Sequence, residues 1–352
     1  MTNGGVRYDE WWSTVWTDGG KLHRYDRVCT EGMRGNVKRR EKKTFAGNYI
    51  SFLYIILRKN HMRKSFQHTI TYPISCSGIG VHSGKISTLT FNPAPENHGI
   101  VFKRIDITDK DNIIPAHYLN VNRTKLGTTI SNNAGVEVAT IEHLMAALWG
   151  SNIDNCLIEI DNIEVPVLDG SSEPFVFLLQ STGVTRQNKY RKFLKILKEI
   201  SVTDQITDDN TATSSIKPSD HFIINFKIDF KNTIIGKQEY VFNSSNSSFL
   251  KTISRARTYG QMHEVEYLRK NNLALGGSLE NAIVVDKDKV INREGLRYPD
   301  EFVKHKILDC IGDLYLSGAY ILGEFFGNKS GHCLNNKLLK VIFSDKSNYS
   351  YI

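Results

Sequence analysis

The chain has no run approaching the roughly 18–20 apolar residues that a membrane-spanning helix needs. Its longest apolar stretch, residues 49–57, follows Arg39, Arg40, Lys42 and Lys43 and has the length of a signal-peptide core. No small-residue cleavage site follows it, so secretion is not expected. Cysteines are few: Cys29, Cys76, Cys156, Cys310 and Cys333, odd in number, scattered, and without a CxxC pair. That excludes a thiolate zinc site and fits reduced thiols in a cytoplasmic protein. Most of the chain also lacks a charge excess. Residues 1–66 hold 14 of the 45 Lys and Arg but only 6 of the 37 Asp and Glu. The remaining 31 basic and 31 acidic residues cancel, so the formal +8 sits entirely in the first segment. A balanced body argues against nucleic acid as a partner, and nothing in it would insert stably into a membrane.

What is present is globular text. At 352 residues and 40% hydrophobic composition, two domains are expected rather than one. The first 65 residues read differently from the rest: Trp11, Trp12 and Trp16 cluster without periodicity, and glycines punctuate the stretch. They are expected to be a basic N-terminal extension, disordered or not native, with Met62 as the alternative start. From Thr69 the pattern predicts strands at 87–91, 99–104 and 156–160, and helices at 140–149 and 174–180. A polar, turn-like stretch at 183–190 marks a boundary between domains 66–188 and 189–352. Beyond it, strands are expected near 193–202 and 221–230, with a Ser/Thr/Asp-rich surface loop at 203–220 between them. Helices at 249–258, 301–320 and 335–343 and a strand at 281–286 complete the reading. Strands and helices mix without a regular βαβ beat, so the expected class is α+β.

Three places carry chemistry. His305 and Asp309 stand at i and i+4 of a helix, with Asp313 one turn further, so an imidazole and a carboxylate can converge on one ion. The same spacing also suits a solvated polar face or a single ion pair. Glu142-His143 is the arrangement of a metal ligand beside a carboxylate that takes a proton from water, or else an exposed pair on a surface helix. His332 follows Gly331, which lets a loop project it into a cleft, but a loop histidine alone says little. The glycines around His82 (GIGVHSGK) do not match GxGxxG and precede no clear helix. They read as a turn between strands, with His82 near the site but not a ligand.

The segments ATIEHLMAALWG (139–150), VPVLDGSSEPF (165–175), SRARTYG (254–260), LALGGSLENAIVVD (273–286), FVKHKILDCIGDLYL (302–316) and KSGHCLNNKLL (329–339) occur in that order. Together they resemble the UDP-3-O-acyl-N-acetylglucosamine deacetylases, zinc amidohydrolases of lipid A synthesis in Gram-negative bacteria. The resemblance runs from about Thr69 to about Ile342. It implies two similar α+β domains with the site at their junction, a location in the cytoplasm with work near the inner membrane surface as an option, and a nucleotide-sugar lipid as substrate. A monomer is favoured. It further implies Zn2+, with Fe2+ as the possible native ion, held by His143, His305 and Asp309. Glu142 would be the general base and His332 the general acid, with Asp313 supporting His332 and Lys306 and Thr258 near the reacting carbonyl. An insert at about 260–288 would form an acyl passage lined by Met262, Val265, Leu273, Ala274 and Leu275, residues that could otherwise be plain core. Tyr259 departs from the family, which often has Phe there. Two rivals remain. Two histidines and a carboxylate also make the facial triad of non-haem iron oxygenases, and a non-catalytic nucleotide-sugar or nucleic-acid binder could keep such a fold.

Overall fold

Alternation of apolar and polar residues builds the first sheet. In strand Ile86–Pro93, Ser87, Leu89 and Phe91 face inward while their neighbours stay partly open. This strand pairs antiparallel with Ile74–Ile79 and Cys156–Ile160; Ile100–Arg104 runs parallel to Cys156–Ile160 and antiparallel to Ile113–Pro115. The result is a five-stranded sheet drawn entirely from the first half of the chain. A computed structural model describes residues 65–207, 210–231 and 233–352. The tryptophan cluster, the apolar stretch at 49–57 and the alternative start at Met62 lie outside the described residues.

The second half builds a seven-stranded sheet around the buried strand Tyr320–Asn328. That strand pairs with Asn210–Lys217 on one side and Phe222–Phe230 on the other. Among the described residues, six α-helices accompany the sheets: α1 (Glu142–Gly150), α2 (Glu173–Ser181), α3 (Phe249–Thr252), α4 (Met262–Lys270), α5 (Glu301–Tyr315) and α6 (His332–Ser344). Helix α1, from the first half, packs against α5, from the second, and α5 packs on α6. One continuous core joins both halves, giving the expected α+β architecture of two similar parts, each with its own sheet and helices.

Helix α5 decides where the site can be. Every residue in it except Lys306 is buried, so each polar side chain needs a partner inside the protein. Glu301 takes the Arg257 guanidinium at 2.9 Å and the backbone N–H of Arg297 at 2.6 Å. Lys304 pairs with Asp300 at 2.7 Å. The Tyr315 hydroxyl donates to the Ile153 carbonyl at 2.6 Å. His305 and Asp309 face His143 of α1, and Asp313 faces Thr128 and α6. The two helices approach closely because Gly312 has no side chain: a Cβ there would lie 2.8 Å from the carbonyl carbon of Glu142 and closer still to its oxygen.

Several expectations need correction. Residues 203–220 are not a loop but mostly a hairpin, Ile200–Thr207 with Asn210–Lys217. Ala212, Ser214 and Ile216 face inward in alternation, and Ser214 is fully buried. Small β-branched and hydroxyl residues suffice where a neighbouring strand covers them. The turn-like stretch is strand Val184–Tyr190, paired with Phe66–Ile70. The span 193–202 is two strands, Phe193–Ile196 and Ile200–Thr207. The helix expected over 249–258 stops after one turn, at Thr252. Helix α5 ends at Tyr315, before Gly318 at φ 73° turns the chain into Tyr320–Asn328. The last helix begins at His332 itself, so this histidine is the first residue of a helix and not part of a loop. No helix among the described residues is long and apolar enough to cross a membrane.

Candidate active site

Helix α1 is aimed by a strained residue. Thr140 adopts φ 59°, a left-handed conformation unfavourable for a β-branched side chain. Its Oγ1 donates to Glu164 Oε1 at 2.9 Å, and Glu164 also accepts from the backbone N–H groups of His82 and Ser83 at 3.0 and 2.7 Å. The chain then enters α1 with Glu142 and His143 buried against α5.

There His143, His305 and Asp309 form a cluster whose ligand atoms all lie within 4.8 Å of one another. His143 Nε2 and His305 Nε2 stand 3.5 and 3.4 Å from Asp309 Oδ1. His305 Nδ1 is 3.1 Å from the Ala256 carbonyl, which fixes the proton on that nitrogen and leaves Nε2 as a free lone pair. Burial pushes the His305 imidazolium down to about 3, so the ring is neutral, the form that ligates metals. Asp309 Oδ2 accepts from Lys306 Nζ at 2.7 Å, whereas Oδ1 is buried with no hydrogen-bond donor. A buried carboxylate oxygen that has no donor and faces two imidazole Nε2 atoms is unfavourable unless a cation sits among them. Two nitrogens and a carboxylate oxygen suit zinc or iron(II), so these residues fit a bound metal.

A second group flanks the cluster. Asp313 Oδ2 lies 2.8 Å from His332 Nδ1 and accepts from Asn335 Nδ2 at 2.9 Å. Its other oxygen accepts from Thr128 Oγ1 at 2.6 Å. The Thr128 N–H donates to Glu142 Oε2 at 2.9 Å. His332 Nε2 faces Glu142 Oε1 at 3.9 Å and Asp309 Oδ2 at 4.0 Å. Burial opposes the imidazolium, but Asp313, Glu142 and Asp309 outweigh it and raise His332 to about 10. Burial also pushes the Glu142 carboxyl up. One carboxylate poised to take a proton thus faces an imidazolium poised to give one.

Both groups open into a cavity of about 430 Å³. Its polar end holds Glu142, His143, Thr258, His305, Lys306, Asp309 and His332; its apolar side includes Met262, Val265, Leu268, Ala274, Ala282, Val284 and Ile291. Helix α4 walls that side without a single buried residue. Leu273 lines a neighbouring cavity with Arg123 and Lys125, and Leu275 is exposed beside the strap around His82. His82 sits on the wall outside the metal cluster, its Nε2 3.1 Å from the Leu126 carbonyl. Tyr259 packs its ring edge-on against Phe230, Phe302 and His305, while its hydroxyl is buried without a partner and burial lifts it to about 12. A larger cavity, about 510 Å³, lies at the far end of α1 around Trp149 and touches none of these groups. Sequence reasoning missed Thr128 and Asn335. Asn335 stands three residues after His332, on the same helical face, and was within reach of a spacing argument. Thr128 carries no local signal.

Residues 67–344 match the model of the family described as UDP-3-O-acyl N-acetylglycosamine deacetylase. A protein of Hahella chejuensis named UDP-3-O-acyl-N-acetylglucosamine deacetylase is 50% identical over 288 residues, spanning 81% of this chain and 93% of the relative. Proteins of the same name from Shewanella frigidimarina and Shewanella oneidensis are each 47% identical over 289 residues, 82% of this chain and 92% of theirs. With a family match across most of its length and relatives at this level of identity, the chain belongs to the UDP-3-O-acyl N-acetylglycosamine deacetylase family.

Proposed function

We propose that this protein hydrolyses the acetamide of UDP-3-O-acyl-N-acetylglucosamine, releasing acetate and leaving the free amine for lipid A synthesis. The observation that carries the reading is the orphaned Asp309 Oδ1 between His143 Nε2 and His305 Nε2, with Glu142 and His332 facing each other beside it. Zinc, or iron(II), held by His143, His305 and Asp309 would polarise a water and an amide carbonyl and bring that water's pKa toward ~7. Glu142 takes the proton from the attacking water. Thr258 and Lys306, on the cavity wall, face the developing oxyanion. His332 Nε2 delivers a proton to the departing nitrogen, because an amine anion does not leave, and Asp313 holds Nδ1 so that Nε2 faces the substrate. General acid and base steps of this kind are each worth about 10²–10⁴-fold. Met262, Val265 and Ala274, with Leu268, Val284 and Ile291, form the side of the cavity that takes the acyl chain. Residues 66–188 and 189–352 act as two domains meeting at the α1–α5 contact. A nucleotide-linked substrate favours work in the cytoplasm.

Glu142 and His332 favour hydrolysis over an oxygenase using the same triad, since oxygen activation has no need of a paired base and acid. The test is acetate release from UDP-3-O-acyl-N-acetylglucosamine by the full chain, before and after chelation and zinc addition. Zinc-restored release is expected. A folded, zinc-loaded protein that releases none would refute the reading. Residues 62–352 assayed alongside would show whether the N-terminal segment contributes.

A further inference from the structure

One buried residue outside the roles above touches both halves of the proton machinery. Thr128 lies 2% exposed at the start of the short strand Thr129–Ser131, and all of its polar groups are committed. Its N–H donates to Glu142 Oε2 at 2.9 Å, its carbonyl accepts from the N–H of Ile141 at 3.2 Å, and its hydroxyl donates to Asp313 Oδ1 at 2.6 Å. Asp313 in turn meets His332 Nδ1, and His332 Nε2 returns to Glu142 Oε1. Thr128, Glu142, His332 and Asp313 therefore close a ring in which Thr128 is the neutral member. We infer that Thr128 is a positioning residue: it sets the orientation of the acid pair His332–Asp313 relative to the base Glu142.

The physical argument rests on what each bond fixes. A carboxylate has two oxygens and can swing about its Cβ–Cγ bond, and Asp313 must present Oδ2 to His332. Asn335 alone holds Oδ2 and permits that swing. The hydroxyl on Oδ1 removes it, and a hydrogen bond to an ionised acceptor is about twice as strong as a neutral one. The backbone of the same residue holds Glu142 and the residue that leads into α1. Base and acid are thereby referred to one point rather than to two independently moving helices. The missing side chain of neighbouring Gly127 permits this close approach, since a Cβ there would lie 2.9 Å from Glu142 Oε1. A loss of alignment of ~1 Å at reacting atoms is enough to cost of the order of 10²-fold. Because the ring touches no part of the acyl side of the cavity, its loss acts on turnover rather than on binding.

This inference rests on the roles proposed for Glu142 and His332, and its test separates the two. Thr128→Val keeps the shape and the N–H but removes the hydroxyl; Thr128→Ser keeps the hydroxyl. Steady-state acetate release by the zinc-loaded full chain is measured for wild type, both variants, Asp313→Asn, and the Thr128→Val/Asp313→Asn pair. We expect kcat of Thr128→Val to fall about 10- to 100-fold, with KM within about twofold and bound metal unchanged. Serine is expected to restore most of the loss. The double variant should be no slower than Asp313→Asn alone, because both remove the same alignment. Wild-type rates in Thr128→Val, a loss confined to KM, or losses that multiply in the double variant would overturn the positioning role while leaving the deacetylase reading intact. If wild type itself releases no acetate, the underlying reading falls instead. If Thr128→Val lowers metal content along with kcat, Thr128 is structural and the inference is wrong.

Discussion

Gly312 offers a sharp test of the idea that the site depends on how closely α1 and α5 approach. Alanine in the middle of a helix is intrinsically better than glycine by about 0.5–1 kcal/mol, so on propensity alone Gly312→Ala would stabilise the protein. The structure predicts the reverse. The new methyl would lie 2.8 Å from the Glu142 carbonyl carbon, where two carbons prefer about 3.5–4.0 Å. Relief needs a separation of about 1 Å between the helices, and the obstacle is backbone, which cannot rotate away. Overpacking of this kind costs about 1–3 kcal/mol, leaving a net destabilisation of about 0–2.5 kcal/mol after the propensity gain. The larger effect is on rate. Glu142 and His143 ride on α1, while His305, Asp309 and Asp313 ride on α5. A displacement of about 1 Å between these sets should lower kcat about 10²-fold or more. Thermal unfolding, metal content and acetate release, measured together, check this. A Gly312→Ala protein that is more stable than wild type and turns over within threefold of it would refute the close-approach argument.

The remaining predictions concern separate parts of the molecule. Glu301→Ala strips the buried Arg257 guanidinium of its buried carboxylate and leaves it only the exposed Glu294 and the Gly295 carbonyl, which should destabilise the fold by about 1.5–3 kcal/mol in chemical denaturation; a change under about 1 kcal/mol would contradict the weight given to the buried pair. Asp309→Asn weakens the cation site while barely changing shape, so metal retained through gel filtration in chelator-free buffer should drop to near background, read by elemental analysis. Tyr259→Phe removes a buried hydroxyl without a partner, so unfolding free energy should rise by up to about 1–3 kcal/mol; a fall would mean that the hydroxyl has a partner. Ala282→Phe narrows the apolar side of the cavity, and kcat/KM should drop more for long acyl chains than for short ones, a comparison in which equal losses would argue against an acyl passage there.

The candidate site was legible where its signal is local. His305, Asp309 and Asp313 repeat at the spacing of one helical face, and Glu142-His143 is a dipeptide, so each fragment could be read from a short window. What the spacing could not decide was whether those faces were wet or buried. That was settled by α5 being enclosed on all sides, a property of everything packed around it. The hairpin at Ile200–Thr207 and Asn210–Lys217 was missed because Ser and Thr occupy positions that signal loops in isolation. Its partner strand, Tyr320–Asn328, is more than a hundred residues away. Thr128 escaped for the same reason: its partners are 14 and 185 residues distant along the chain, and no window contains them.

Helix α4 carries a consequence of a different kind. It is nine residues long, none of them buried, and a capping box of Gln261 and Glu264 secures its first turn. Isolated helices shorter than about 12–15 residues are marginal in water, and α4 has little core contact to make up the difference. Its backbone amides should therefore exchange with solvent through local opening, while those of α5 wait for events close to global unfolding. The wall of the cavity and its floor then live on separate timescales. An apolar group entering the cavity would pass a segment that opens readily, while His305, Asp309 and Asp313 stay fixed to the slowly exchanging α5.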